Sequence, residues 1–366
     1  MTSTTNLYEF VPDYAIAPGL TLEDVLRDRR MPQAELARRT NRPLKTISEI
    51  VSGIAQITPE TAIQFEHVLG IPASFWLNLE SNYREALARI KERKTLEGYI
   101  EMLRKFPVKE LVRLGWIPKV QNPVGQLQTL LDYFGVSSLD MVDNVYSKVK
   151  VACGQSKAYN VDMYAIYSWL RKGEKEAQGI DCKPFDARVF KANLLRIKSL
   201  IGKKPEEMTA KMKECCAEAG VALVCVPEIK GCRACGVSGW LGKDKALIML
   251  SLRHKTDDHL WFTFYHEAGH ILLHNKRETY VDIDNSKEDA KIELEANRFA
   301  SNFLINPNEY LKFVCANDFS RSHIVQFASR QQVSPGIILG RLQHDDYLPF
   351  NTSLNHLKVH YIWEDV

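Results

Sequence analysis

The sequence predicts a mainly α-helical chain with a smaller α+β domain at its rear. Three patterns carry that expectation. Residues 32–69 read as helix, short polar turn, helix, and then a third helix. Residues 80–180 continue with charged, helical periodicity. Short β-like runs between residues 221 and 250 then precede a strongly apolar helical stretch from Trp261 to His274. With 366 residues the chain is long enough for two or three domains, and the pattern places them at 1–80, 81–180 and 181–366. Hydrophobic residues make up 45% and charged residues 25%, which is ordinary for a soluble globular protein. No run is long enough to span a bilayer, and no apolar stretch follows the initial Met-Thr-Ser-Thr-Thr, so a cytoplasmic protein without membrane contact is expected.

At the front, Leu36 and Ala37 of the first helix and Ile47 and Ile50 of the second are spaced to face inward. Gly53 suits the left-handed position that ends a helix. Thr58 is a good N-cap and Pro59 fits the first helical position of the third helix, whose apolar face is Ala62, Phe65, Val68 and Leu69. This is a helix-turn-helix pattern, whose second helix enters a major groove. Lys45, Thr46, Ser48 and Glu49 lie on the exposed N-terminal side of that helix as base or phosphate contacts, and Arg38, Arg39 and Arg42 flank it as phosphate grips. A net charge of +3 is too small to signal nucleic-acid binding; the local cluster of Arg27, Arg29, Arg30, Arg38, Arg39, Arg42 and Lys45 carries that signal.

The segment resembles the Xre-type helix-turn-helix of the HigA antitoxin family. The matching residues are Pro18-Gly19, Leu36-Ala37, Lys45-Thr-Ile-Ser48, Gly53, Ile57-Thr-Pro-Glu60 and the tail Leu69-Gly-Ile-Pro-Ala-Ser-Phe75-Trp76-Leu-Asn-Leu79, within residues 15–90. The resemblance implies binding of double-stranded operator DNA as a homodimer and, commonly, a partner toxin. Pro43 in the turn is a departure that does no harm at a first helical position.

Between the two ends, Pro107 opens a short helix that Gly115 closes, and Leu127, Leu130, Leu131, Tyr133 and Phe134 predict packed helices, not a loose linker. A dense aromatic group from Tyr159 to Trp169 suggests core or interface. The eight cysteines are scattered, which predicts free thiols. Cys232-Arg-Ala-Cys235 has C-x-x-C spacing but no second pair at zinc-ribbon distance, so a loop between strands is preferred over a metal or redox role. Strands are expected at Val221–Val226, Val237–Leu241 and Leu247–Leu250, a helix pair over 320–342, and a terminal strand through 358–363.

The richest chemistry lies in His266-Glu-Ala-Gly-His270-Ile-Leu-Leu-His274. At 3.6 residues per turn His266 and His270 share one helical face and can hold one metal ion, with Glu267 beside them to act on a water. This H-E-x-x-H arrangement is that of zinc hydrolases. A catalytic zinc takes three protein ligands, and the next helical pattern, residues 291–304, offers Glu293 and Asn297 as i,i+4 neighbours. Glu293 is preferred as the third ligand, with Asn297 orienting a ligating histidine. Glu295, about 200° around the helix from Glu293, stays the alternative. His274 lies a further turn along and is read as structural or as support behind the ligands. For the oxyanion only Tyr265, His254 and His259 offer themselves, and weakly.

These motifs resemble the ImmA/IrrE family of metallopeptidases. His266 to His274 and Glu293-Leu-Glu-Ala-Asn297-Arg-Phe-Ala300 carry the likeness, joined by Val237-Ser-Gly-Trp-Leu241 and Ile248-Met-Leu-Ser-Leu252, within residues 185–345. The resemblance implies a gluzincin-like zinc site with His266, His270 and Glu293 as ligands and Glu267 as catalytic acid/base. Where the family's helix often ends Leu-Leu-Met-Pro, this chain has Phe303-Leu-Ile-Asn-Pro307. Two readings follow. In the first, a DNA-binding regulator carries a zinc endopeptidase that cleaves a protein, such as a repressor, in a stress or toxin–antitoxin setting. In the second, the chain is a non-enzymatic HigA-like antitoxin and autorepressor whose peptidase fold is a binding or sensing platform.

Overall fold

The computed structural model describes residues 14–147, 162–274, 280–283 and 290–363. Tyr159, named above, and Cys153, one of the eight cysteines, lie outside the described residues. Packing divides the chain into two compact units, Met1–Glu101 and Met102–Val366.

The first unit is helical: α1 (Pro18–Asp28), α2 (Gln33–Arg39), α3 (Leu44–Val51), α4 (Pro59–Leu69) and α5 (Ala73–Glu97). Its core holds Leu22, Leu36, Ile47, Ile50, Phe65 and Trp76, with Phe65 meeting Trp76 edge-on at 5.6 Å. The local signals act as anticipated. Thr58 caps α4 by accepting from Thr61 N at 3.3 Å, and Gly53 adopts φ 74° after α3. Pro43 sits at the N-cap of α3, one residue before the helix, so its missing N–H costs nothing. Gly19 is required by close approach: a Cβ there would lie 2.1 Å from Val51 O. The boundary anticipated at residue 80 falls inside α5. Nothing between Ala73 and Glu97 breaks a helix, and the ion pairs Arg84–Glu80 and Arg89–Glu85 at i,i+4 carry it onward.

The second unit begins with short helices, α6 (Val108–Arg113), α7 (Pro123–Phe134) and α8 (Asp140–Val145), then α9 (Met163–Gln178), α10 (Ala187–Lys198) and α11 (Pro205–Glu218). Residues assigned to a connector are packed into the same body as the rear sheet. Trp169 of α9 donates from Nε1 to Val226 O at 3.2 Å, and Gly173 leaves room for Met249, which a Cβ would approach to 2.1 Å. The anticipated strands form as β1 (Val221–Cys225), β2 (Ala234–Trp240) and β3 (Ala246–Leu250), joined by β4 (Tyr280–Ile283), which no sequence pattern announced. Their order is β1-β3-β2-β4. β1 pairs parallel to β3, and β2 pairs antiparallel to β3 and β4. Cys235 belongs to β2, so the C-x-x-C runs into a strand instead of lying wholly in a loop; burial pushes the Cys232 thiol up to about 12, which leaves it inert.

The helix α12 (Asp257–Leu273) then packs on β2 and β3, and α13 (Ala290–Leu304) packs against α12. Behind them come α14 (Pro307–Cys315), α15 (Arg321–Gln331) and α16 (Pro335–His344). The terminal strand is reduced to a single bridge, Thr256 with His360. Residues 358–361 lie against the start of α12 instead of a sheet edge, with Asp257 N donating to Val359 O at 2.9 Å and Tyr361 N to Lys255 O at 2.8 Å.

Candidate metal centre

The helix α12 is apolar nearly all round, so Trp261, Phe264, Tyr265 and Ala268 are buried and its polar residues are carried into the interior with them. His266 and His270 are each 2% exposed and Glu267 is 0% exposed. Burial of three such groups side by side is costly unless they have partners or a ligand. The second helix approaches closely at Gly269, where a Cβ would lie 3.3 Å from Ala296 Cα. Tyr265 stacks on Phe303 at 4.8 Å and locks the pair.

That approach brings Glu293 of α13 onto the histidines. Its Oε2 lies 3.2 Å from His266 Nε2 and its Oε1 3.4 Å from His270 Nε2. The two Nε2 atoms are 2.9 Å apart. A tetrahedral zinc with bonds of about 2.0–2.1 Å sets its ligand atoms about 3.3 Å apart, so the spacing of these three atoms fits the ion. Asn297 lies one turn on, its Oδ1 3.0 Å from His266 Nδ1. An amide oxygen only accepts, so His266 Nδ1 carries the proton and Nε2 turns a lone pair inward. Burial lowers the His270 pKa, which keeps that ring neutral and able to ligate. Acceptors converging in this way, with the rings neutral, fit a divalent cation. Among the described residues this is the one such cluster of His, Cys, Asp and Glu.

Glu295 points elsewhere. Its Oε2 lies 3.4 Å from His274 Nε2, and His274 Nδ1 lies 3.0 Å from His270 Nδ1. Glu267 faces the sheet. A Cβ on Gly236 of β2 would come within 2.5 Å of both Glu267 Oε1 and Thr263 Cγ2. Gly236 is therefore part of the site, missed in the sequence although an isolated glycine in a strand pattern signals close approach. Tyr265 is excluded for the oxyanion: its hydroxyl donates to Leu194 O at 3.1 Å within the core. The His254 and His259 rings stack at 4.0 Å, two turns before His266. The stripe that carries the ligands continues through Phe262 on α12 and Ser301 and Leu304 on α13 into a cavity of about 470 Å³.

In the first unit the residues singled out for nucleic acid cluster around α2 and α3. Arg38 and Arg39 are exposed, and both bind Glu35, through Nη2 at 2.8 Å and Nε at 2.7 Å. Hydrogen bonds from these two arginines hold the Glu35 pKa at about 2. Arg42 Nε donates to Gln64 Oε1 at 2.6 Å, and Lys45 Nζ lies 3.7 Å from Glu49 Oε1. Ser48 is exposed and Thr46 half-buried. Glu35 stands at i,i+3 and i,i+4 from the arginines, a spacing the sequence already carries.

Residues 238–343 match the model of the IrrE N-terminal-like domain, a peptidase family, and residues 22–76 match a helix-turn-helix model. An addiction module antidote protein of the HigA family from Coxiella burnetii is 30% identical, and the match spans 92% of that protein and 23% of this chain, with a TM-score of 0.21. The chain belongs to the HigA family of helix-turn-helix proteins and carries an IrrE-like peptidase domain. Two Pseudomonas aeruginosa structures are similar to this HigA-family chain in the same way. An antitoxin HigA with the higBA promoter is 31% identical over 94% of its length and 23% of this chain, with a TM-score of 0.22. A protein in complex with its 28-bp operator DNA is 32% identical over 98% of its length and 24% of this chain, also with a TM-score of 0.22. No curated protein matches the chain. Among the described residues no helix is long and apolar enough to cross a membrane.

Proposed function

We propose that this HigA-family protein is a DNA-binding regulator whose rear domain is a zinc-dependent endopeptidase acting on a protein, with a repressor as the favoured substrate. The observation that carries the reading is the convergence of His266 Nε2, His270 Nε2 and a Glu293 oxygen with buried Glu267 alongside. His266, His270 and Glu293 would hold the ion. A zinc ion there would supply Lewis acidity towards a water and the scissile carbonyl. Glu267 takes the proton of the attacking water and passes it to the leaving amine. Asn297 keeps the His266 lone pair on the ion's side. The cavity beyond Phe262 is of a size that suits a substrate side chain. The first unit delivers the enzyme to operator DNA, with Arg38, Arg39, Arg42 and Lys45 on phosphates and Thr46, Ser48 and Glu49 near the bases, as a homodimer reading paired half-sites in the cytoplasm.

Metal analysis of the purified chain tests the centre: about one zinc per chain is expected, lost in His266→Ala. Glu267→Gln should keep the metal and abolish cleavage of a repressor substrate, and unchanged turnover would remove Glu267 from the chemistry. The similarity to the HigA antitoxins favours a second reading, in which the chain is an autorepressor, with or without a toxin partner, and its peptidase fold only binds. Zinc binding without cleavage of any candidate repressor or toxin supports that second reading. Arg42→Ala with Lys45→Ala should weaken operator binding and flatten its salt dependence.

A further inference from the structure

The two carboxylates of α13 divide their labour. Glu293 faces the imidazole Nε2 atoms directly, whereas Glu295 reaches the same pair from behind, through His274. The contacts form an ordered chain. His270 Nε2 faces His266 Nε2 at 2.9 Å, His270 Nδ1 faces His274 Nδ1 at 3.0 Å, and His274 Nε2 faces Glu295 Oε2 at 3.4 Å. A neutral imidazole has one N–H and one lone pair, so fixing one nitrogen fixes the other. A carboxylate accepts only. Beside it, His274 carries its proton on Nε2 and presents a lone pair at Nδ1. The facing His270 Nδ1 must then be the donor, which leaves the His270 Nε2 lone pair pointing at His266 Nε2. The His266 lone pair is already turned inward by Asn297.

We infer that Glu295 is a positioning residue that acts through His274 to hold His270 in the tautomer whose Nε2 lone pair faces the metal. Without this chain the pair has an easier arrangement: His270 donates from Nε2 to His266 Nε2 and accepts at Nδ1 from His274. That arrangement satisfies both contacts and closes the site to a cation. Glu295 opposes it, because it would turn a His274 lone pair onto the carboxylate. The tautomer that Glu295 favours turns the His270 Nε2 lone pair towards the place between His266 and Glu293 that an ion would take. Glu295 is half exposed, with 45% of its side chain accessible, against 6% for His274, so it can be changed without disturbing the core.

The inference rests on the proposed metal centre but not on turnover. The test is zinc affinity of the full chain, measured by competition with a chromogenic chelator, for wild type, Glu295→Ala, Glu295→Asp, His274→Ala and the double variant Glu295→Ala with His274→Ala. Glu295→Ala and His274→Ala are each expected to weaken zinc binding about 10–100-fold. Glu295→Asp should recover part of the loss, and the double variant should be no worse than His274→Ala alone, because the two residues act in series. In the metal-free chain, ¹⁵N spectra should show His270 protonated on Nδ1 in wild type and shifted towards Nε2 in Glu295→Ala. Affinity within twofold of wild type in Glu295→Ala, or fully additive losses in the double variant, overturns the relay. If His274→Ala fails to fold, the Glu295 variants decide alone. Zinc binding with these losses but no peptide cleavage defeats the endopeptidase and leaves the relay standing; a wild-type chain that binds no zinc defeats both.

Discussion

The helix α12 carries two buried polar clusters, about 12 Å apart along its axis, and they are built on opposite principles. At its N-terminus Asp257 and Asp258 are 1% and 7% exposed, and each is answered from within the fold. Asp257 accepts from Ser334 Oγ at 2.5 Å and Val359 N at 2.9 Å, and Asp258 pairs with Lys358 Nζ at 2.6 Å. Gly336 and Gly340 of α16 close over them, since a Cβ at either would meet a carboxylate oxygen within 2.5 Å. In the middle of the same helix His266 and His270 are as deeply buried, but their Nε2 atoms face each other and a carboxylate. The first cluster brings donors to acceptors and is a fastening for the chain's last described residues. The second gathers three ligand atoms at a spacing that fits a cation. Burial alone does not mark a functional site; the sign of the partners does.

The contrast can be broken at either end. The largest effect is expected at the fastening. Asp258→Ala leaves Lys358 buried without its partner, and loss of one member of a buried ion pair costs about 3–5 kcal/mol, readable as a lower denaturant midpoint. Zinc affinity at a fully folded temperature should change little. In the middle the effects reverse. Glu293→Ala should lower zinc affinity at least about 10²-fold, the loss seen when outer partners of ligands are removed being a minimum for a ligand itself, with a much smaller change in unfolding. Gly236→Ala sharpens the assignment of Glu267. Its Cβ would press on Glu267 and Thr263, and displacement of a reacting group by about 1 Å costs about 10²-fold in turnover, so cleavage should fall while zinc content stays.

The smallest expected effect is on pH dependence. Burial raises the Asp257 pKa above 3.8 in the folded chain. Between that raised value and 3.8 the folded state holds the proton more tightly than the unfolded state. The Asp257 contribution to stability therefore increases as the pH falls through this window. Comparison of wild type with Asp257→Asn in urea at several acidic pH values should show the variant losing that increase. Equal slopes would mean that Asp257 keeps its ordinary pKa.

How much of this was legible in sequence follows from distance along the chain. The pairs His266 with His270 and Glu293 with Asn297 are legible because helical periodicity places i and i+4 residues together, and the cap of Thr58 and the left-handed Gly53 are equally local. The roughly 200° between Glu293 and Glu295 says that only one of them can face the histidines, and the i,i+4 place of Asn297 on the Glu293 face favours Glu293. The partners of the fastening could not be read that way. Asp258 and Lys358 are joined only by the return of the chain end to α12, and the pattern that suggested a strand there recorded its apolar alternation but not what it would pair with. Gly236 and Glu267 meet across a strand-to-helix contact for which spacing gives no rule. The short strand β4 has too few residues for its alternation to register. The continuity of α5 has a different cause: the charged composition after residue 80 suggests a change of domain, but its i,i+4 pairs extend the helix.

Glu35 has a consequence for how the first unit meets a polyanion. Its carboxylate already sits on Arg38 and Arg39 as a built-in counterion. Arginines so paired hold fewer mobile anions in solution, and on a phosphate backbone they exchange one oxyanion for another. Each phosphate neutralised ordinarily steepens the dependence of log K on log salt by about 0.9. A salt titration of the operator complex should therefore count fewer released ions than there are arginines at the surface, and Glu35→Gln should restore the missing increment.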